Sequence, residues 1–392
     1  MMKIEQRHAA LLALSFVAFS LSTFSYRAAA ASFVLLFLYL FTAGIVTKAT
    51  FTPPLLLSFI AVNLLVILLS IRHEVHPPYI VKYVGMSVFF WLMLAYGKRL
   101  EERGFLRACH YYVYIHAFFF LLQLGWFVAT GKFIDFNNYI REEYANTIYS
   151  SRSLEGLIIP IRATGLFSEP SIYSMTVFPI ALLIALREKR ISASTVLGAM
   201  TSFLALSIAG MAITLAGAAL FIFSTNGRRL VKIAMIGVLI LLLPLGAAIY
   251  QRRVVDAVDY DAIGSRMLVI DHLERQSYTD ALLGNGLLWD ENQPIGRSGL
   301  WGRNVRDSSF YVYVYFTVGA LGSALLFGGV AWVLRRFPFL LAALAISFFY
   351  KYGVLVGSLW LTLAIAILLA RMRAQPDSLE EEDATDAVAG TR

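Results

Sequence analysis

FTPPLLLSFIAVNLLVILLS, residues 51–70, runs for twenty residues without a charge, and its only polar side chains are Thr52, Ser58, Asn63 and Ser70. An α-helix rises about 1.5 Å per residue, so a stretch of this length crosses the roughly 30 Å of a bilayer's hydrocarbon layer. Runs of the same kind recur from Leu11 to Ala370. They predict helices near 9–25, 28–47, 51–70, 79–96, 109–129, 171–186, 193–208, 210–225, 231–249, 308–333, 338–351 and 354–370. The apolar run from Ala193 to Ser224 is too long for one upright span and is broken at Ser207-Ile208-Ala209-Gly210, where a glycine permits a tight turn. The expected fold is an all-α polytopic membrane protein of about twelve transmembrane helices.

Composition agrees. Hydrophobic residues make up 59% of the chain and charged residues only 15%, and the mean hydropathy is +0.69; a water-soluble core cannot use that much apolar surface. The net charge of +8 comes from short basic clusters between apolar runs, which set topology and do not form a nucleic-acid surface. The single cysteine, Cys109, has no thiol partner and reads as a small buried hydrophobe. Lys3 and Arg7 ahead of the apolar stretch Ala9 to Phe24 imitate a signal peptide, but a second span follows at once, so an uncleaved first helix is expected.

Orientation follows from the basic residues. With the N-terminus in the cytoplasm, that side collects Lys48, Lys98, Arg99, Arg103, Arg107, Arg187, Lys189, Arg190, Arg228, Arg229, Lys232, Arg335, Arg336, Arg371 and Arg373. The short outer turns keep only Arg27, Arg72, Lys82 and Lys351. One domain is expected over residues 1–374, with both termini cytoplasmic and an acidic, disordered tail over residues 375–392. Two long polar segments, about 130–170 and 251–307, then fall on the outer, periplasmic face. The first is punctuated by aromatics and the second has helical periodicity from Gly264 to Leu283, so both should fold against the membrane domain.

The second loop holds Arg252, Arg253, Arg266, Arg275, Arg297, Arg303 and Arg306 and no lysine. Guanidinium groups bind phosphate oxygens in bidentate fashion, so an arginine-only loop suits a phosphate ligand, although outer-surface pairing with nearby acids is the plainer alternative for any one of them. Arg162 and Arg266 stand out because each lies where a long loop meets the membrane. Glu169 and Asp307 each lie at a loop-to-helix junction, where a carboxylate accepts a hydrogen bond from a hydroxyl or simply caps the helix; Ser308 is an equal candidate cap beside Asp307. Tyr139, Tyr144, Trp289 and Trp301 offer faces for sugars, or anchor the chain at the interface. His73-Glu74-Val75-His76 lacks the spacing of a metal-binding helix, and no metal or cofactor is expected.

The string RATGLFSEPSIYS at residues 162–174, then GSRM at 264–267, LLGNG at 282–286 and the run from Asp307-Ser308-Ser309-Phe310 to Gly319-Ala320-Leu321-Gly322, resembles the O-antigen polymerase and ligase superfamily. The resemblance covers about residues 155–325 and rests on the order, spacing and outer placement of the motifs. It implies a GT-C-type glycosyltransferase of the bacterial inner membrane that uses undecaprenyl-diphosphate-linked oligosaccharide. The growing glycan would pass from one lipid diphosphate to a sugar hydroxyl of a second lipid-linked repeat unit. A flippase and a chain-length regulator are the partners it implies. Ligases of the superfamily typically carry a histidine near the position of Asp307; its absence favours a polymerase over an O-antigen ligase. A lipid-linked oligosaccharide flippase is the alternative from another class, but it should carry its charges inside the spans. On this reading Arg162 and Arg266 meet around the diphosphate with Arg303 or Arg306 as a lesser third, and Glu169, or Asp307, receives the acceptor hydroxyl.

Overall fold

Prolines and serines start the helices. Proline opens α3 (Pro53–Ser70), α4 (Pro77–Tyr96), α6 (Pro170–Glu188) and α13 (Pro338–Ser347), at the position where its missing N–H costs nothing. Serine caps α2 (Tyr26–Thr42), α7 (Ala193–Leu204), α10 (Tyr278–Leu283) and α12 (Phe310–Leu334), its hydroxyl accepting an otherwise unpaired backbone N–H. The remaining α-helices are α1 (Ile4–Leu21), α5 (Glu102–Thr130), α8 (Ile208–Ser224), α9 (Gly264–Arg275), α11 (Gly302–Arg306) and α14 (Gly357–Arg371). The computed structural model describes residues 4–49, 51–70, 75–142, 161–224, 264–295 and 300–372, with isolated positions at 237, 244, 246, 247 and 251. Among these the fold is mostly helical, and the sole sheet pairs β1 (Pro294–Ile295) with β2 (Leu300–Trp301).

Among the described residues, five helices are long and apolar enough to cross a membrane: α3, α4 with its 3₁₀ extension to Arg99, α5, α6 and α12. α3 is apolar all round yet scarcely buried, with Leu57 68% and Leu68 56% exposed. Water would not tolerate such a helix, whereas lipid does. Its Asn63 turns inward, where its side-chain oxygen accepts from Ser87 Oγ of α4 at 3.0 Å. At the opposite extreme, α6 and α14 are buried along almost their whole length and form the centre of the bundle.

Described helices coincide with the expected spans from α1 to α8 and from α12 to α14, while the span expected at 231–249 and the tail at 375–392 lie outside the described residues, apart from isolated positions in the former. Three local expectations are corrected. The turn between α7 and α8 falls at 205–207, and the residue with positive φ is Leu206 (53°), not a glycine. Gly210 serves packing instead, since a Cβ there would meet Ser174 Oγ at 2.7 Å. The helix expected to reach residue 351 stops at Ser347. Residues 348–356 are non-helical, and the carbonyls of Phe348 and Tyr350 accept the Phe310 N–H at 3.0 and 2.9 Å, satisfying a donor that starts α12. The cap of α12 is Ser309, neither Asp307 nor Ser308.

The segment Gly264 to Leu283 forms α9 and α10, as its periodicity predicts, and the turn after α10 accounts for two glycines. α12 is broken at Gly319 (φ 64°, ψ −170°). The freed carbonyls of Phe316 and Thr317 accept the N–H groups of Asn285 and Gly286 at 2.8 and 2.9 Å. Gly284 (φ 78°) and Gly319 face each other backbone to backbone, with no room for a Cβ on either. The LLGNG turn thus plugs a kink made for it.

Contacts sort the connections to two ends. One end joins the α1–α2 turn to Glu142 of the first loop, whose carboxylate accepts from Ser25 Oγ and Arg27 N–H at 3.1 and 2.9 Å. At the same end His76 N–H donates to Leu288 O at 2.8 Å, Lys82 Nζ to Thr23 O at 2.5 Å and Gly357 N–H to Thr23 Oγ1 at 3.1 Å. The other end joins Arg187 to Glu102 and to Met372 O, His110 to Glu188 and Ser194, and Tyr96 to Val46 O.

Candidate functional site

The first of these ends holds a cavity of about 210 Å³ seated over the starts of α6 and α14. Ser168 and Glu169 bring the first loop to it, Leu288, Trp289, Glu291 and Arg306 the second, and Lys351 to Val356 the non-helical stretch between α13 and α14. Two helix N-termini therefore point towards it with their positive dipole ends, which favours an anionic occupant. Irregular backbone inside a helical bundle is tolerated where it is buried or lines a cavity, and residues 348–356 do both: Tyr350 and Tyr352 are fully buried, and Lys351 and Gly353 are in the wall. Leu288 adopts φ 62°, an uncommon conformation for leucine and an instance of strain held at a site.

A chain of alternating charges runs beside the cavity, and every member but Asp307 lines it. Glu169 pairs with Lys351, whose Nζ also lies 3.2 Å from Asp307 Oδ1. The same Oδ1 lies 3.6 Å from Arg306 Nε, and Arg306 Nη1 pairs with Glu291. Glu169 occupies the N-cap position of α6 without capping it, and Asp307 leaves its capping duty to Ser309, so both carboxylates are free to face Lys351. The Lys351 ammonium holds the Glu169 carboxyl down at about 2, against burial that works the other way. Burial alone would depress Lys351, but Glu169 and Asp307 more than offset it and raise its pKa. Arg306 behaves similarly: burial opposes its charge, and Glu291, Asp307 and Glu169 outweigh that. A glutamate near 2 is ionised at every physiological pH and a weak proton acceptor, but a firm acceptor of hydrogen bonds.

The other predicted residues are distributed unevenly. Trp289 lines the cavity, its indole N–H donating to Gly286 O at 3.0 Å. Arg266 is exposed, and its Nε donates to Asp307 O at 3.3 Å, which puts it beside the charge chain but not in the cavity wall. Arg303 is exposed and stacks on Trp301, 5.1 Å from the ring centroid. Tyr139 is 85% exposed and outside the cavity wall; Tyr144 lies outside the described residues.

Arg162 is the clearest departure. It is buried, 7% exposed, and does not line the cavity, so Arg162 and Arg266 do not share it as expected. The string that contains Arg162 is instead pinned by its backbone: Gln123, buried in α5, accepts the N–H groups of Thr164 and Gly165 at 2.7 and 3.0 Å, and Asn137 Nδ2 donates to Leu166 O at 3.0 Å. A long polar side chain fully buried in a span finds partners in irregular backbone, which delivers Ser168 and Glu169 to the cavity.

Lys351 is the site residue that sequence reasoning passed over. It stands in Phe348-Phe349-Tyr350-Lys351-Tyr352-Gly353, where a lysine between apolar runs reads as a topology marker; the signal available was a charge kept in a short turn flanked by aromatics. Glu291 was likewise missed, among the acids of a long loop. Among the described residues no group of three His, Cys, Asp or Glu side chains is placed to hold a metal ion. No family model, curated protein or solved structure matches the chain.

Proposed function

We propose that the chain is a polysaccharide polymerase of the O-antigen polymerase kind, a GT-C-type membrane glycosyltransferase that moves a glycan from undecaprenyl diphosphate onto a sugar hydroxyl of a second lipid-linked repeat unit. The single observation that carries this reading is the meeting of Glu169, from the first loop, with Asp307 and Arg306, from the second, through Lys351 in the wall of one cavity. Residues so far apart in the chain converge only if both loops build one site. Twelve spans and cytoplasmic termini are part of the same proposal, supported by the sorting of connections to two ends and by the basic residues Arg107 and Arg187 at the end opposite the cavity. The cavity end is then periplasmic and the membrane the bacterial inner one.

In this chemistry the bond from the anomeric carbon to the diphosphate oxygen breaks as the bond to the acceptor oxygen forms. The lipid diphosphate leaves with the electron pair, and the acceptor proton is lost to solvent. Arg306 and the N-termini of α6 and α14 stabilise the charge that develops on the departing diphosphate, with Arg266 beside Asp307. Glu169 orients the acceptor hydroxyl and faces the positive charge that grows at the anomeric carbon. Trp289 and Tyr313 supply aromatic wall for a sugar ring. The charges stand at helix starts and in the non-helical stretch between α13 and α14, beside a cavity at one end of the bundle, which suits chemistry at the interface better than passage through the bilayer.

Deletion of the gene followed by extraction of lipid-linked glycans tests the reading. Single repeat units accumulating on the carrier are expected. Long chains accumulating on the carrier would identify a ligase, units trapped on the inner leaflet a flippase, and an unaltered glycan profile would refute all three.

A further inference from the structure

We infer that Lys351 is the positioning residue of this site: from the non-helical stretch between α13 and α14 it pins one oxygen of Glu169, leaves the other for the acceptor hydroxyl, and registers the first loop against the second through Asp307. The inference rests on the transferase reading and adds a residue with a distinct role to it.

The geometry is specific. Lys351 Nζ and Ser171 Oγ, the latter at 3.2 Å, both donate to Oε2 of Glu169, and Oε1 takes part in no hydrogen bond among the described residues. The Glu169 side chain lines the cavity and is 45% accessible, while the Lys351 side chain is only 16% accessible. Glu169 stands at the N-cap position with extended backbone (φ −138°, ψ 147°) and accepts no backbone N–H of its helix; its Oε2 is held by the Ser171 hydroxyl from the first turn of α6 and, across the site, by Lys351. Lysine suits the role because three donors on one nitrogen reach carboxylates from two directions. The charged groups facing this pair from every side are Asp307, Arg306 and Glu291 from the second loop, Lys82 from α4 and Arg266 from α9, with the phenols of Tyr79 and Tyr313 in the wall.

Glu169 has its pKa depressed in the folded chain, so the clamp's contribution is fully present above the ordinary glutamate range and is lost as pH falls through about 2. The test measures transfer by the purified full chain, using lipid-linked repeat units extracted from the deletion strain, as a function of pH. Wild type and Lys351→Arg should keep their rate from neutrality down to about pH 4. Lys351→Met and Lys351→Gln should be slower at neutrality and show an acid limb at or above the ordinary carboxylate range of about 4.3. A folded Lys351→Met with the wild-type limb overturns the inference. Thermal unfolding of wild type and Glu169→Gln against pH needs neither turnover nor a neutral lysine variant. The wild type should lose stability between about pH 4.5 and 2 and Glu169→Gln should lack that component; identical acid profiles overturn the clamp even in a chain that transfers nothing, and the expected difference in such a chain sinks the transferase reading alone.

Discussion

The two ends of the bundle use the same materials differently. At the end away from the cavity, Arg187 donates to Glu102 at 2.8 Å and to the Met372 carbonyl at 3.0 Å, and His110 links Glu188 (3.0 Å) with Ser194 (2.5 Å). Those groups pin α5, α6, α7 and the end of α14 together, and none of them lines the cavity. At the other end, Glu169 and Asp307 forgo capping and share one lysine, and Glu169 and that lysine line the cavity. An ion pair that closes on backbone is a fastener, whereas one that leaves an oxygen facing a cavity is fit for a ligand. Position at a helix end does not separate the two; what the remaining donors and acceptors do decides it.

The largest way to break the cavity end is through its platform. Gly319→Val places a branched side chain at φ 64° against the backbone of Leu282 and Gly284, and the combined strain and overpacking should cost about 3 kcal/mol or more. Little folded protein should reach the membrane, and near-wild-type unfolding of the variant in detergent would show that the LLGNG turn does not plug the kink. Next is a matched pair of substitutions. Asp307→Asn should slow transfer per folded molecule by about tenfold to a hundredfold, the kinetic equivalent of one charge-assisted hydrogen bond. Arg187→Gln at the far end should cost about 1–3 kcal/mol of stability and leave transfer per folded molecule unchanged. If assays of rate and unfolding temperature reverse that pattern, the distinction between fastener and site is wrong. Smallest is Tyr139→Ala: at 85% exposed the side chain packs on little, so stability should change by no more than about 0.5 kcal/mol and polymer length should stay the same on a gel.

Much of this architecture is legible in the chain because apolar length and basic clusters are local signals. α3 announces itself in twenty uncharged residues, and the helical spacing of 264–283 survives into α9 and α10. Glu169 and Asp307 are legible as junction carboxylates because proline and serine mark the helices beside them. The rest depends on contacts between distant residues. Nothing in Ser347-Phe348-Phe349-Tyr350 stops a helix by propensity; the break is held by the Phe310 N–H, which takes carbonyls that a longer helix would have used. Gly284 and Gly319 make sense only as partners 35 residues apart. Arg162, exposed to notice by its motif, is buried, and its neighbours' backbone, gripped by Gln123, explains the string better than its guanidinium does.

The most direct measurement is the lipid-linked glycan profile of cells whose only copy of the chain carries Glu169→Gln and reaches the membrane at the wild-type level. Single repeat units on the carrier, with long polymer lost, are the expected outcome. Polymer of normal amount and length would mean that the carboxylate beside Lys351 takes no part in transfer.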